Sequence, residues 1–197
     1  MILTIPNILT LARYVMVPFF LWASFERMYT VAFVLFVTAA ATDILDGMIA
    51  RRLNQKSRLG ALLDPGADKS LMICGFLFYT LADGLPFVTI PAWLTFVVFI
   101  RDFSILMVAY LLYTRVNVKK FPPSVAGKTS TVLQAVCLGT AIGVNAFAHT
   151  LLWFAEFMFR VALLITLYSS WDYLRRGERL LYDGLAAANL DGAPTVP

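Results

Sequence analysis

Six long apolar runs, at about residues 6–25, 30–50, 61–81, 86–113, 125–148 and 151–173, occupy this chain almost end to end. Each is close to the ~20 residues that carry an α-helix across the hydrocarbon core of a bilayer. The runs are continuous and do not alternate polar with apolar residues, so they read as helices. Composition agrees, since 60% of the 197 residues are hydrophobic and 14% are charged, against roughly 25% charged in a soluble domain. A chain this apolar cannot cover itself with polar surface and needs lipid as solvent. In lipid the backbone must satisfy its own hydrogen bonds, which leaves helices or a closed barrel. The expected fold class is all-α integral membrane, with six transmembrane helices.

One membrane domain over residues 1–183 is expected, followed by a mobile tail, 184–197, that contains Ala, Asn and Gly and ends in Pro. Pro18 falls inside the first run and should kink it. The first run lacks a small-residue cleavage site and reads as a retained helix. Cys74 and Cys137 lie in separate apolar runs and read as buried thiols, with no disulfide framework.

The net charge of +4 matters less than its distribution. Arg51, Arg52, Lys56 and Arg58 follow the second run; Arg115, Lys119 and Lys120 follow the fourth; Arg175, Arg176 and Arg179 follow the sixth. The alternate connections hold only Glu26 with Arg27, then Asp83, then His149. Basic connections stay on the cytoplasmic side, so both termini are expected there. The same basic residues also suit phosphate binding, and the two readings are compatible.

The stretch from Asp43 to Asp68 reads DILDGMIARRLNQKSRLGALLDPGAD. Asp43 and Asp46 are three apart near the cytoplasmic end of the second helix and share a face. Gly47 and Ala50 continue that face with almost no side chain, so a ligand or a second helix can approach the backbone. Gly60 is expected to open the third helix, on which Asp64 and Asp68 are four apart, with Pro65 in its first turn. Four carboxylates without His or Cys make a hard oxygen site, suited to Mg2+ or Mn2+ and less often Ca2+. Unpaired at a membrane boundary they would repel one another at high cost. A bound metal would remove that repulsion, neutralise a diphosphate and stabilise an attacking alkoxide. A carboxylate left partly free could take the proton of an alcohol. Helix capping, or pairing with Arg51, Arg52, Arg58 and Lys69, is the structural alternative.

The pattern of Asp43, Asp46, Gly47, Ala50, Arg51, Gly60, Asp64 and Asp68 resembles the signature of the CDP-alcohol phosphatidyltransferases without departure. The resemblance implies six spans with both termini inside, two divalent ions between the second and third helices, and a CDP diphosphate bound by them. It also implies that Gly47 and Gly60 lie against the cytidine, with Ala50 and Arg51 in the same CDP-lipid site. Asp68 would be the general base with a share in the metal. Implied partners are CDP-diacylglycerol, a glycerol-type alcohol, membrane lipids and a second copy in a homodimer, with no nucleic acid. The implied location is the bacterial inner membrane, with the active site facing the cytoplasm.

The opening IPNILTLAR is similar to the N-terminus of members that make phosphatidylglycerophosphate or cardiolipin. Asn7 reads as a helix N-cap. Arg13, inside an apolar run, needs an anion, which is either a lipid phosphate or an internal carboxylate. Arg101 and Asp102 interrupt the fourth run, and Arg101 either pairs internally or holds phosphate near the metal site. Lys128, within SVAGKTSTVLQ, either binds acceptor phosphate or snorkels to headgroups. Members that use glycerol 3-phosphate carry Arg-Glu in place of Arg101–Asp102 and a second Arg two turns on, where this chain reads MVAYLLY with no charge before Arg115. The segment RDFSILMVAYLLYTR, with Gly-Lys-x-x-Thr-x-x-Gln after it, is more similar to the eukaryotic-type cardiolipin synthases, whose acceptor is phosphatidylglycerol. That acceptor is favoured, with glycerol 3-phosphate as the alternative and Arg115, Lys119, Lys120 or Lys128 available to bind its phosphate; inositol, serine or choline-type acceptors are the remaining candidates. A cation transporter and an inactive scaffold are the competing classes. Glu156 and Arg160 read as a helix-internal pair, His149 as a surface residue, and Trp93, Trp153 and Trp171 as interface anchors.

Overall fold

A computed structural model describes the backbone of residues 5–53, 58–116, 124–147 and 149–190, and the side chains of 11–42, 69–114, 124–147 and 150–182. The described residues form six α-helices and no strand: α1 Ile5–Phe25, α2 Tyr29–Leu53, α3 Arg58–Leu81, α4 Ala92–Val116, α5 Val125–Phe147 and α6 Leu152–Leu190, with a short 3-10 turn His149–Leu151 before α6. Ala92–Thr114, Val125–Phe147 and Leu152–Tyr182 are long and apolar enough to cross a membrane. The described parts of α1, α2 and α3 contribute the shorter apolar stretches Leu11–Phe25, Tyr29–Thr42 and Lys69–Leu81. Large apolar side chains stand outward on every helix, among them Phe25, Val34, Leu81, Leu106, Val132 and Leu164. A surface of that kind is costly in water and costs nothing against acyl chains.

Five helix ends differ from the sequence expectation by three residues or more, and two of them are simple extensions, of α2 to Leu53 and of α4 to Val116. α4 begins at Ala92 rather than near residue 86, because Pro86 and Pro91 bracket a segment whose backbone bonds elsewhere. α3 begins at Arg58, so Gly60 lies within its first turn and Pro65 falls two turns in, where its missing N–H removes one i→i−4 bond. α6 continues past residue 173 for a total of 39 residues, so Arg175, Arg176 and Arg179 are on a helix and not in a loop. At 1.5 Å per residue it is about 58 Å long, roughly twice the hydrocarbon thickness, so it cannot lie wholly within the membrane. Cys137 is buried as expected, whereas Cys74 is only half-buried.

The chain forms two compact units. The first comprises Met1–Ala92 and Ala135–Met158. Here α1 packs against both α2 and α3. Phe20 is fully buried at the centre, its ring 6.3 Å from that of Phe36 on α2 and 6.5 Å from that of Tyr79 on α3. Ala23, Ala32 and Ala39 are also fully buried. Gly139 and Gly143, one turn apart on α5, face Phe36 and Phe33 of α2, and a Cβ at either would come within 3.0 and 3.1 Å of those rings. Small residues at this spacing let apolar helices approach closely without a hydrophobic drive.

α1 ends in a Schellman turn. Met28 N donates to Ala23 O at 2.8 Å and Arg27 N to Ser24 O at 3.2 Å, with Arg27 at a φ of 61° where glycine is usual. At the same end of the unit Ile90 N donates to Tyr79 O, 2.8 Å. Asn145 ties down the rest of this segment. Its Oδ1 accepts from Phe87 N (3.0 Å) and Val88 N (3.2 Å), and its Nδ2 donates to Val88 O (2.8 Å) and Ala141 O (2.9 Å). Asn145→Ala removes these four bonds and should cost about 1–3 kcal/mol. Thermal unfolding in detergent measures it, and a melting temperature equal to the wild type's would rule out a structural role for this bridge.

The second unit comprises Trp93–Gln134 and Phe159–Pro197. Within it α5 and α6 meet along a buried polar seam. Ser130 Oγ lies 3.2 Å from Thr166 Oγ1, and Gln134 Nε2 donates to both, at 3.2 and 3.0 Å. Gly177 of α6 faces Val108 of α4, and a Cβ there would fall 2.5 Å from Val108 Cγ1.

Candidate active site

The two Asp pairs lie at similar distances along their helices from the ends that the chain joins. α2 ends at Leu53 and α3 starts at Arg58, so a connection of residues 54–57 joins the two ends. Asp43 and Asp46 lie ten and seven residues before that end of α2, and Asp68 and Asp64 ten and six residues after that start of α3. At 1.5 Å per residue both pairs fall about 9–15 Å along their helices from the shared connection. Spacings of three and four keep each pair on one helix face. The side chains of all four Asp, and of Ala50, Arg51 and Arg115, lie outside the described residues, as do the surroundings of Gly47 and Gly60. No cluster of three or more His, Cys, Asp or Glu occurs among the described side chains.

Arg13 stands at the same level. Measured from the α1–α2 turn it lies 12 residues back along α1 from Phe25, and Asp43 lies 14 residues along α2 from Tyr29. Those distances are about 18 and about 21 Å along the two helices. α1 packs on both helices that carry the Asp residues, and Arg13 is 1% exposed. A guanidinium at that depth requires an anion. The depth suits both alternatives raised by the sequence, an internal carboxylate and a lipid phosphate.

Two further cations expected at the site belong to the second unit. Arg101 is 3% exposed, and its guanidinium is engaged inside the protein. Its Nη1 donates to Asp102 Oδ1 at 2.8 Å, and its Nη2 donates to Gly127 O at 3.1 Å and Ser169 Oγ at 3.2 Å. Lys128 is exposed at the first turn of α5. Ser124 caps that turn by accepting from Gly127 N at 2.9 Å. A serine followed three residues later by the N3 amide is an ordinary N-cap signal, so this cap was readable in the sequence. The partners Ser169 and Tyr173 were not, because only the fold brings them to α5. Glu156 and Arg160 are both exposed on α6, as are Trp153 and Trp171, and Trp93 is exposed at the start of α4.

Long apolar helices, outward apolar side chains and buried cations define a helical membrane protein. Residues 3–168 match the family model described as CDP-alcohol phosphatidyltransferase. The chain belongs to that family and is a transferase of phospholipid biosynthesis. It is 32% identical over 185 residues to a probable phosphatidylglycerophosphate synthase of Mycobacterium tuberculosis, covering 90% of this chain and 83% of that protein. It is 30% identical over 183 residues to the CDP-diacylglycerol–glycerol-3-phosphate 3-phosphatidyltransferase of Aquifex aeolicus, covering 91% and 99%. To a CMP-forming cardiolipin synthase of Rattus norvegicus it is 28% identical over 194 residues, covering 89% of this chain and 62% of that protein.

Proposed function

We propose that the protein transfers the phosphatidyl group of CDP-diacylglycerol to the free hydroxyl of phosphatidylglycerol, forming cardiolipin and CMP. The acceptor oxygen bonds to the phosphatidyl phosphorus, the bond from that phosphorus to the bridging diphosphate oxygen breaks, and the electron pair leaves with CMP. Asp43, Asp46 and Asp64, with a share from Asp68, are assigned to hold two Mg2+ or Mn2+ ions. The similar distances of the two pairs along their helices and their all-oxygen donor chemistry fit such ions. Bound there, the ions would neutralise the diphosphate and stabilise the attacking oxygen. Asp68 takes the hydroxyl proton. Gly47, Ala50, Arg51 and Gly60 are assigned to the CDP moiety, and Arg13, Arg115 and Lys128 to lipid or acceptor phosphate. Arg101 is not assigned to phosphate, because both its Nη atoms have protein partners.

The acceptor rests on one observation. Between Asp102 and Arg115 α4 carries no charge, and Phe103, Leu106, Met107, Tyr110 and Tyr113 stand exposed. A glycerol 3-phosphate dianion leaving water needs several fixed cations. Phosphatidylglycerol carries a single phosphodiester charge and supplies its own apolar anchoring. Glycerol 3-phosphate is the second reading, favoured by the names of the Mycobacterium and Aquifex relatives. Purified protein should be given CDP-diacylglycerol and Mg2+ with each acceptor separately, and the lipids resolved. Cardiolipin from phosphatidylglycerol is expected. Phosphatidylglycerophosphate as the only product would replace this acceptor with the second.

The site is proposed to face the cytoplasm of a bacterial inner membrane, with six spans, both termini inside and a homodimeric assembly. The basic residues after α2, α4 and within α6 support that orientation. Cysteines placed at Gln55 and Lys119 should react only with cytoplasmic reagents, and one at Asp83 only from outside. Labelling of Gln55 from outside would reject the orientation.

A further inference from the structure

We propose that Arg101 is a positioning residue of the acceptor subsite. It fixes the first turn of α5, and with it the root of Lys128, and does not itself bind substrate phosphate. The inference rests on the reading above that Lys128 meets acceptor phosphate.

A guanidinium that is 3% exposed must find its partners inside the protein. Asp102 supplies the counter-charge at 2.8 Å, and the Tyr173 ring lies 5.8 Å from Arg101 Cζ. The informative bond is that of Nη2 to Gly127 O, 3.1 Å, which Ser169 Oγ supports at 3.2 Å. Gly127 O belongs to the peptide unit joining Gly127 to Lys128. The bond therefore grips the backbone from which the Lys128 side chain leaves.

Tyr173 holds the same turn from a second direction. Ser124 N donates to Tyr173 Oη at 3.3 Å, Gly127 N to Ser124 Oγ at 2.9 Å, and Lys128 N to Ser124 O at 3.1 Å. Gly127 makes the approach possible, since a Cβ there would lie 2.6 Å from Tyr173 Cε2 and 2.7 Å from its Oη. Lys128 itself is exposed. An ammonium on a flexible four-carbon stem is a poorly directed ligand, and a fixed root reduces the entropy lost when it meets a phosphate. Arg101, whose charge Asp102 offsets, contributes geometry rather than attraction.

A double-mutant cycle on the full-length protein tests this, with Mg2+, CDP-diacylglycerol and whichever of the two acceptors the wild type uses. Arg101→Lys keeps the charge but cannot span Asp102, Gly127 O and Ser169 together. It should raise the acceptor KM about tenfold, the scale of one charge-assisted hydrogen bond. The kcat and the KM for CDP-diacylglycerol should stay near the wild-type values. Lys128→Ala should raise the same KM, and the double variant should be no worse than Lys128→Ala alone, because one effect runs through the other. Ser169→Ala, a milder change, should give a smaller rise in the same direction. Amide hydrogen exchange over residues 125–131 should quicken in Arg101→Lys and in Ser169→Ala. Additive effects in the cycle would mean that Arg101 touches the acceptor directly and would overturn the proposal. So would unchanged exchange over that turn, or parallel losses toward both substrates. Lys128→Ala decides the underlying reading separately: an unchanged acceptor KM in that variant removes the role of Lys128, and the positioning role with it.

Discussion

Removing divalent metal is expected to abolish turnover completely, and adding back Mg2+ or Mn2+ to restore it. The reason lies in the donor set. Asp43, Asp46, Asp64 and Asp68 offer only carboxylate oxygen, with no His or Cys between residues 43 and 68. Four such groups gathered as proposed would repel one another unless a cation lay among them. The chemistry adds a second reason, since a CDP-lipid brings a diphosphate whose charge grows on the leaving oxygen. Activity after dialysis against a chelator, checked by elemental analysis, measures the requirement. Full turnover with no metal present would show that the acids serve another purpose. Partial replacement by Ca2+ would be unsurprising for binding, but its looser coordination suits in-line transfer less well than the octahedral preference of Mg2+.

Asp68→Asn is expected to lower turnover by about 10²–10⁴-fold, the usual cost of losing a general base. The substitution keeps the size of the side chain and one of its oxygens but cannot accept the hydroxyl proton. The variant should still bind CDP-diacylglycerol in the presence of metal. Asp43→Asn should differ by weakening that metal-dependent binding as well. Binding of the CDP-lipid, measured beside single-turnover rates, separates the two roles. Normal turnover in Asp68→Asn would remove it as the base. A binding loss as severe as that of Asp43→Asn would make Asp68 chiefly a ligand.

The reach of sequence reasoning can be followed helix by helix. Helical content and seven of the twelve expected ends followed closely from the apolar runs, because in lipid hydropathy and helix formation have the same cause. α1 and α5 show this best, starting or ending within a residue of expectation. The start of α4 was not readable in the same way. Residues 86–91 are as apolar as the helix that follows, and hydropathy cannot tell a buried extended segment from a helix. What settles that segment is Asn145, 57 and 58 residues away, whose amide replaces the missing helical partners of Phe87 and Val88. The far end of α6 went unread for the converse reason. Charge marks where lipid ends, but Leu, Ala, Arg and Glu beyond it still favour a helix.

The candidate site divides along the same line. The proposed Asp pairs fall on two consecutive helices, as the sequence pattern over residues 43–68 led one to expect, because a local pattern specifies local backbone. Arg13 could be flagged as needing an anion, but its place at the level of Asp43 follows from the α1–α2 turn and the packing of α1 on both acidic helices. For Arg101 the sequence left two roles open, an internal pair or a phosphate ligand. Its partners Gly127 and Ser169 stand 26 and 68 residues away, on helices that meet it only after packing. Chemistry carried by neighbours in the chain is set by the order of residues, whereas the duty of a buried side chain is set by which distant groups the fold leaves within 3 Å or so of it.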